Sequence, residues 1–392
     1  MLQRAVERSL LFSLLIIFNV IIVFNLLLFL LYLANNTQIT KCCKEIFKPL
    51  KGYAETEKSL QKDISFPKNR YLLRKIFMCT LSHTFTIMSS VKGETQMIHP
   101  KVIFASTRPF SLTASVIPVI FGTILALQWT SIHWTTFFLT LIGAVFLQCG
   151  TNLVNDYFDH VKGADIPGSL SPSGVIDRKE MTPRQVYITG LIFFGLSIIV
   201  GLILTALTGP VVLYFGIPSL LVGYFYTATR YALAYNGLGE IASGSTLGIL
   251  AVVGSFYTQT LTLNTEIFLA AIPNALLVMA ILHANNLRDF DTDKQIGKTT
   301  IAGLIGRKAS RLEYYVLMLG TYVSLLALIF LDILPLWSLI AAITLPIALK
   351  GLKIAISTWD AKELNKALGL TALLHMAFGI LLCVGTLTGI LL

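Results

Sequence analysis

Asn152-Leu-Val-Asn155-Asp156-Tyr-Phe-Asp159-His-Val-Lys162-Gly163-Ala-Asp165 closes an otherwise apolar run that begins near Thr136. If one helix continues through the stretch, Asn152, Asn155, Asp156 and Asp159 stand three, four and seven positions along it and share one face. Two carboxylates and two amides then sit at the mouth of a membrane helix. Ionisable groups at such a depth are costly, so the expectation is that they face a polar cavity and work there.

The rest of the chain supports the membrane reading. Apolar residues make up 55% of its 392 residues and charged ones 13%, with a mean hydropathy of +0.75, where a soluble domain carries about a quarter charged residues. Windows of about 20 apolar residues match the length needed to cross the hydrocarbon as helix. The alternating segments of a membrane β-barrel are not seen. The expected fold class is an all-α integral membrane bundle, with the lipid bilayer as its surroundings.

A net charge of +10 would suggest nucleic acid as a partner of a soluble protein. Here it reads as the Lys and Arg that mark cytoplasmic loops, and no nucleic-acid partner is expected. The five cysteines include no CxxC pair, which supports neither a disulfide framework nor a zinc site.

Taken in order, residues 1–34 are expected to form an N-terminal hydrophobic anchor helix, residues 35–105 a basic linker of uncertain structure, and residues 106–392 the main bundle. Nine spans are predicted in it, near 111–130, 136–155, 185–206, 210–229, 239–260, 266–286, 312–331, 335–350 and 367–391, with a kink at Pro346 in the eighth. From Lys101 onward all 17 Lys and Arg fall on one side of that arrangement, and the opposite loops near 131–135, 207–209, 261–265 and 332–334 carry none. By the positive-inside rule the basic side is cytoplasmic. A bacterial plasma membrane is the expected location, with an organellar membrane the alternative.

The two long cytoplasmic loops follow spans two and six, and both open with acidic clusters. The second reads His283-Ala-Asn285-Asn286-Leu-Arg288-Asp289-Phe-Asp291-Thr-Asp293-Lys294-Gln-Ile-Gly297-Lys298. Asn285, Asp289 and Asp293 recur every four residues and are predicted to line one helical face. A single such cluster is equally consistent with helix capping and solvated loop charge. Two of them on similar frames, one per long loop, favour a site.

Facing carboxylate sets with few soft ligands suit Mg²⁺, which binds through one or two carboxylates plus substrate phosphates. Lys162, Arg178, Arg230, Arg288 and Lys298 are positioned by sequence to hold those phosphates. A membrane-embedded site of this composition fits a lipid diphosphate. An allylic diphosphate ionises to a carbocation, which aromatic faces stabilise and an electron-rich acceptor captures. The rival class is a secondary transporter, since intramembrane carboxylates also bind protons and cations. Against it, the acidic residues gather at one face and no inverted repeat is evident. A non-catalytic isoprenoid-binding protein is the third reading.

At these residues the chain resembles the UbiA superfamily of intramembrane aromatic prenyltransferases, from Ser106 to the C-terminus. Its first aspartate-rich motif is similar to Asn152-x-x-Asn155-Asp156-x-x-Asp159, and its second to Asp289-x-x-x-Asp293. Tyr226-Thr-Ala-Thr-Arg230, followed by Gly237-Leu-Gly239-Glu240, resembles a further family pattern. Within the superfamily, Asn152–Asp165 and Asn285-Asn286-x-Arg288-Asp289 resemble the 1,4-dihydroxy-2-naphthoate branch. Gly163 stands where the ubiquinone branch tends to place another Asp, and Leu170-Ser-Pro172-Ser-Gly174 lacks that branch's Arg, for which Arg178 is the candidate replacement.

The resemblance implies a Mg²⁺-dependent enzyme of menaquinone or phylloquinone synthesis, with a polyprenyl diphosphate and an aromatic acid as substrates. Hydroxybenzoate and homogentisate are the alternative acceptors. It implies one Mg²⁺ at Asn152, Asp156 and Asp159 and a second at Asp289 and Asp293. Lys162, Arg230, Arg288 and Lys298 would then hold the diphosphate, with Asn155, Tyr226 and Asn285 as further substrate contacts.

Overall fold

The computed structural model describes residues 98–164, 173–229 and 232–392. The anchor helix expected over 1–34, nearly all of the linker over 35–105, and Asp165 and Arg230 lie outside the described residues. From Pro100 onward the chain forms one helical unit.

A short helix α1 (Pro100–Ser106) leads into α2 (Pro109–Ala126), α3 (Trp134–Val161), α4 (Pro183–Thr208), α5 (Pro210–Phe225), α6 (Gly239–Thr260) and α7 (Thr265–Arg288). After a one-and-a-half-turn helix α8 (Phe290–Gln295) come α9 (Ile301–Phe330), α10 (Leu336–Ser357) and α11 (Ala361–Leu391). Eight of these helices are long and apolar enough to cross a membrane, and α5 is a shorter apolar helix of the same character. All-helical construction follows from the medium. Hydrocarbon offers no hydrogen bonds, so each span must satisfy its backbone internally.

The helix ends show how the sequence stops and starts each span. Thr182 and Gln185 form a reciprocal capping box ahead of Pro183 at the first turn of α4. Asp360 caps α11 through the Glu363 amide. Next to Pro346, where a kink is expected, the winding changes from 3₁₀ over Leu336–Thr344 to α over Leu345–Ser357. Because the α portion runs on to Ser357, α10 is longer than the expected 335–350. α9 begins earlier than the expected 312, with a break at Gly306, whose φ of 79° is in the left-handed region. The expectation of one continuous face from Asn285 to Asp293 is modified in the same way. α7 ends at Arg288, Asp289 leaves helical geometry, and α8 resumes, although the Asp293 amide still reaches the Asp289 carbonyl.

α2, α6, α7, α9 and α11 share the main core, in which Phe121, Leu277, Tyr314, Met318, Leu325 and Phe378 are wholly buried. α3 packs along α4 beside it. Large apolar side chains such as Trp134, Val323, Phe330 and Ile343 project outward, as a lipid-facing surface requires. Between spans, small residues permit close approach. A Cβ added at Gly248 in α6 would lie 2.3 Å from the Ala275 Cα in α7, and one at Gly122 would lie 2.2 Å from the Val252 carbonyl oxygen. Gly248→Val is therefore expected to destabilise the bundle by about 3 kcal/mol. Thermal unfolding in detergent measures this, and an unchanged midpoint would contradict the packing.

Candidate active site

The last three turns of α3 anchor four different segments through one face, as the residue spacing predicts. Asn152 donates from Nδ2 to the Thr107 carbonyl and to Ser111 Oγ, both at 2.8 Å, and accepts from Gln148 at 3.3 Å. Asn155 accepts from the Thr227 hydroxyl at 2.7 Å. Asp156 is buried and receives the Arg108 guanidinium on one oxygen and the Ser173 hydroxyl on the other. Asp159 accepts from Tyr235 Oη at 2.9 Å. Each carboxylate thus enters the helix end with donors around it, which is what offsets the cost of removing it from water.

The second cluster is built around Arg288. Its guanidinium forks onto Asp289 at 2.7 and 2.5 Å, and also donates to Asn285 Oδ1 at 2.8 Å and to Asn365 at 3.0 Å. Lys298 turns back onto Asp293 at 3.1 Å. The two clusters are tied together through Tyr235. Its backbone carbonyl accepts from the Thr299 amide at 3.2 Å, and the Gly237 amide donates to the Thr299 carbonyl at 2.8 Å. Lys162 Nζ lies 3.9 Å from the centre of the Tyr235 ring, and Lys298 Nζ lies 5.6 Å from it. Lys162 also caps the Thr227 and Thr229 carbonyls at 2.6 and 2.8 Å.

Between the clusters lies a chamber of about 440 Å³. Its polar end is lined by Arg108, Asn152, Asn155, Asp159, Tyr226, Asn285, Asn286 and Lys298, and its apolar walls by Val222, Leu247, Val278, Ile281 and Leu282. Of the residues singled out from sequence, Asn152, Asn155, Asp159, Tyr226, Asn285 and Lys298 therefore meet at one cavity. Asp156, Asp293, Lys162 and Arg288 do not line it but bond to lining residues, and Asp289 is linked to it through Arg288. Arg178 is placed elsewhere. It is half-exposed and forms a bidentate pair with Glu180 at 2.9 Å, which raises its pKa. Arg108, Ser173, Tyr235 and Asn286 are the contacts that spacing did not indicate. Arg108 was visible only as one more basic residue at the start of the bundle.

The donor set suits a hard cation. Burial pushes the Asp293 carboxyl up to about 6, opposed by Lys298 and reinforced by the charges of Asp289 and Asp159. Its Oδ2 is buried without a hydrogen-bond partner. A buried acceptor of that kind costs free energy unless a cation or donor meets it. Among the described residues, no three His, Cys, Asp or Glu side chains close into a metal cage. Mg²⁺ is compatible with this, because it keeps waters and takes substrate phosphate oxygens to complete its shell.

A chamber lined by acid, amide and basic side chains within an apolar helical bundle is a site built to hold an amphiphilic, anionic ligand. Comparison with known proteins narrows this. The profile of the UbiA prenyltransferase family matches residues 115–380, and the chain belongs to that family. It is accordingly a prenyltransferase. The 1,4-dihydroxy-2-naphthoate octaprenyltransferase of Bacillus subtilis is 31% identical over 301 residues, covering 76% of this chain and 97% of the relative. A UbiA prenyltransferase domain-containing protein 1 homolog from Drosophila melanogaster is 34% identical over 290 residues, covering 72% of this chain and 78% of the relative. The structure of a UbiA homolog from Archaeoglobus fulgidus bound to GPP and Mg²⁺ has a TM-score of 0.52 at 17% identity, over 72% of this chain and 99% of that one. At that identity the likeness establishes the fold.

Tyr235→Phe is expected to keep the ring beneath Lys162 but remove the donor to Asp159. Turnover should fall about 10-fold, the worth of one hydrogen bond to a charged group, while the unfolding midpoint falls by no more than a few degrees. Wild-type turnover in this variant would show that the bond is incidental.

Proposed function

We propose that the chain transfers a polyprenyl group from an allylic diphosphate to 1,4-dihydroxy-2-naphthoate, with Mg²⁺ as cofactor. The observation that carries this reading is the chamber itself, which joins acidic, basic and amide side chains to the apolar walls that an isoprenoid chain needs. The acceptor assignment is supported by the Asn-Asn-x-Arg-Asp pattern at Asn285–Asp289 and by the name of the Bacillus subtilis relative. The GPP and Mg²⁺ bound to the Archaeoglobus fulgidus homolog support the donor and the cation.

Asp159 and Asp293 would hold the cations, with Asn152, Asp156 and Asp289 completing the two sets. Asp156, whose oxygens are taken by Arg108 and Ser173, would join only on exchange of those partners. The bound Mg²⁺ would supply charge neutralisation of the diphosphate as it leaves. Lys298 and Lys162, stacked about Tyr235, provide fixed positive charge at the same end, and Arg288 holds Asn285 in place beside them. Arg230 is proposed as a further diphosphate ligand and Arg178 as a loop cation. Apolar walls would keep water from capturing the allylic cation, and Tyr226, which lines the chamber, would lend its ring to stabilising it. The acceptor ring then attacks, and in the naphthoate case the carboxyl carbon departs as CO₂.

The proposed topology has nine crossings, with α5 as the fourth, and the acidic loops on the cytoplasmic side. The seventeen Lys and Arg on that side support it. A bacterial plasma membrane is the proposed setting.

Purified protein supplied with one labelled polyprenyl diphosphate and a panel of naphthoate, hydroxybenzoate and homogentisate acceptors is expected to prenylate the naphthoate. Preference for another acceptor would reassign the branch, and turnover unaffected by chelating divalent metal would overturn the cofactor. Asp159→Asn and Asp293→Asn are each expected to lower kcat by about 100- to 1,000-fold with the fold retained. Full activity in either would displace that residue from the site.

A further inference from the structure

We infer that Asn285 and Asn286 form an oppositely polarised pair on the chamber wall. Asn285 presents N–H donors and Asn286 presents its C=O, and the Asn286 carbonyl recognises a hydroxyl on the aromatic acceptor. The inference deepens the function proposed above and rests on it.

The two ends of an asparagine amide are alike in shape, so a partner of fixed character decides which end points where. Asn285 and Asn286 both line the chamber, and each has a charged partner behind it. Arg288 Nη2 lies 2.8 Å from Asn285 Oδ1. A guanidinium can only donate, so the amide oxygen is committed to Arg288 and the two Nδ2 hydrogens remain for the chamber. Asn286 is committed the other way, with Nδ2 2.6 Å from Glu240 Oε1. A carboxylate oxygen accepts, so the Asn286 carbonyl is the end left over.

Glu240 is itself immobilised. It is 1% exposed and lies behind Asn286. His283, fully buried, places Nε2 2.8 Å from the Ser310 carbonyl oxygen, so that nitrogen carries a proton. Its Nδ1 faces Glu240 Oε1 at 3.3 Å and Glu313 Oε2 at 3.6 Å. Glu240 Oε1 thus accepts from Asn286 Nδ2 while the buried His283 ring holds the same oxygen in place. The short contact inside a low-dielectric bundle makes the orientation stiff.

A wall acceptor next to a wall donor complements a ring that carries a hydroxyl beside an anionic oxygen, such as an ortho-hydroxy carboxylate. The hydroxyl proton meets Asn286, and the anionic oxygen meets Asn285. A ring lacking the hydroxyl leaves the Asn286 carbonyl facing an apolar group, and a site built on a polar contact rejects such an analogue more strongly than it would a mere change of size.

The test compares the hydroxylated acceptor with its O-methyl ether, both prenylated by the full chain in detergent. Wild type is expected to prefer the hydroxyl compound about 100-fold in kcat/KM. Glu240→Gln, a near-isosteric change that can donate as well as accept, frees the Asn286 amide to flip. It should reduce that preference at least about 10-fold while KM for the prenyl diphosphate moves less than about twofold. Asn286→Ala should do the same, and acceptor affinity measured by binding without Mg²⁺ should show the same loss for the hydroxyl compound alone. Unfolding midpoints establish that both variants fold. A folded Asn286→Ala that keeps the wild-type preference overturns the inference. Wild-type protein that prenylates no hydroxylated aromatic acid overturns the underlying function instead, and the inference with it.

Discussion

Removing a carboxylate from water at the end of an apolar helix costs several kcal/mol unless donors surround it, and the polar end of this bundle is arranged around that constraint. Asp156 draws Arg108 from the segment before α2 and Ser173 from the loop before α4. Asp159 draws Tyr235 from the turn before α6. Because each acid needs partners from outside its own helix, its burial fixes where those connecting segments run. The connections between spans are held by the same groups that give the site its charge.

Tyr235 shows how such a constraint becomes an architecture. One side chain donates to Asp159, lies under Lys162 and lies within reach of Lys298, while its backbone pairs with Thr299 after the second acidic cluster. Two lysines near one another repel, and an electron-rich ring within reach of both lessens that cost. Lys298 is matched by Asp293, whereas Lys162 is held by the Thr227 and Thr229 carbonyls and the Tyr235 ring. Asp293 is the counterpart on the acidic side, buried and with one oxygen unmatched, a state suited to a ligand that brings positive charge.

The membrane class, the approximate positions of the eight long apolar helices and the two acidic clusters were legible in the sequence, because hydrophobic length and helical spacing are local properties. Asn152, Asn155 and Asp159 reach the chamber from one face of α3, as a period of 3.6 residues requires. Spacing could not show the break at Asp289, where the chain leaves α7 and starts again as α8. Arg108 and Arg178 looked alike as loop cations, yet one reaches Asp156 across 48 positions and the other pairs with Glu180 two residues away. Nothing local to either residue separates the two outcomes.

By itself the sequence determined that this chain is a helical membrane protein with acidic pairs at one end, since the cost of unbonded backbone in hydrocarbon and the length of each apolar run admit little else. Only the tertiary structure decided which polar atoms meet. Asn285 and Asn286 are the same residue type in adjacent positions, and one presents donors and the other an acceptor because Arg288 stands behind the first and Glu240 behind the second. That difference depends on helices packed side by side, which composition and periodicity do not encode.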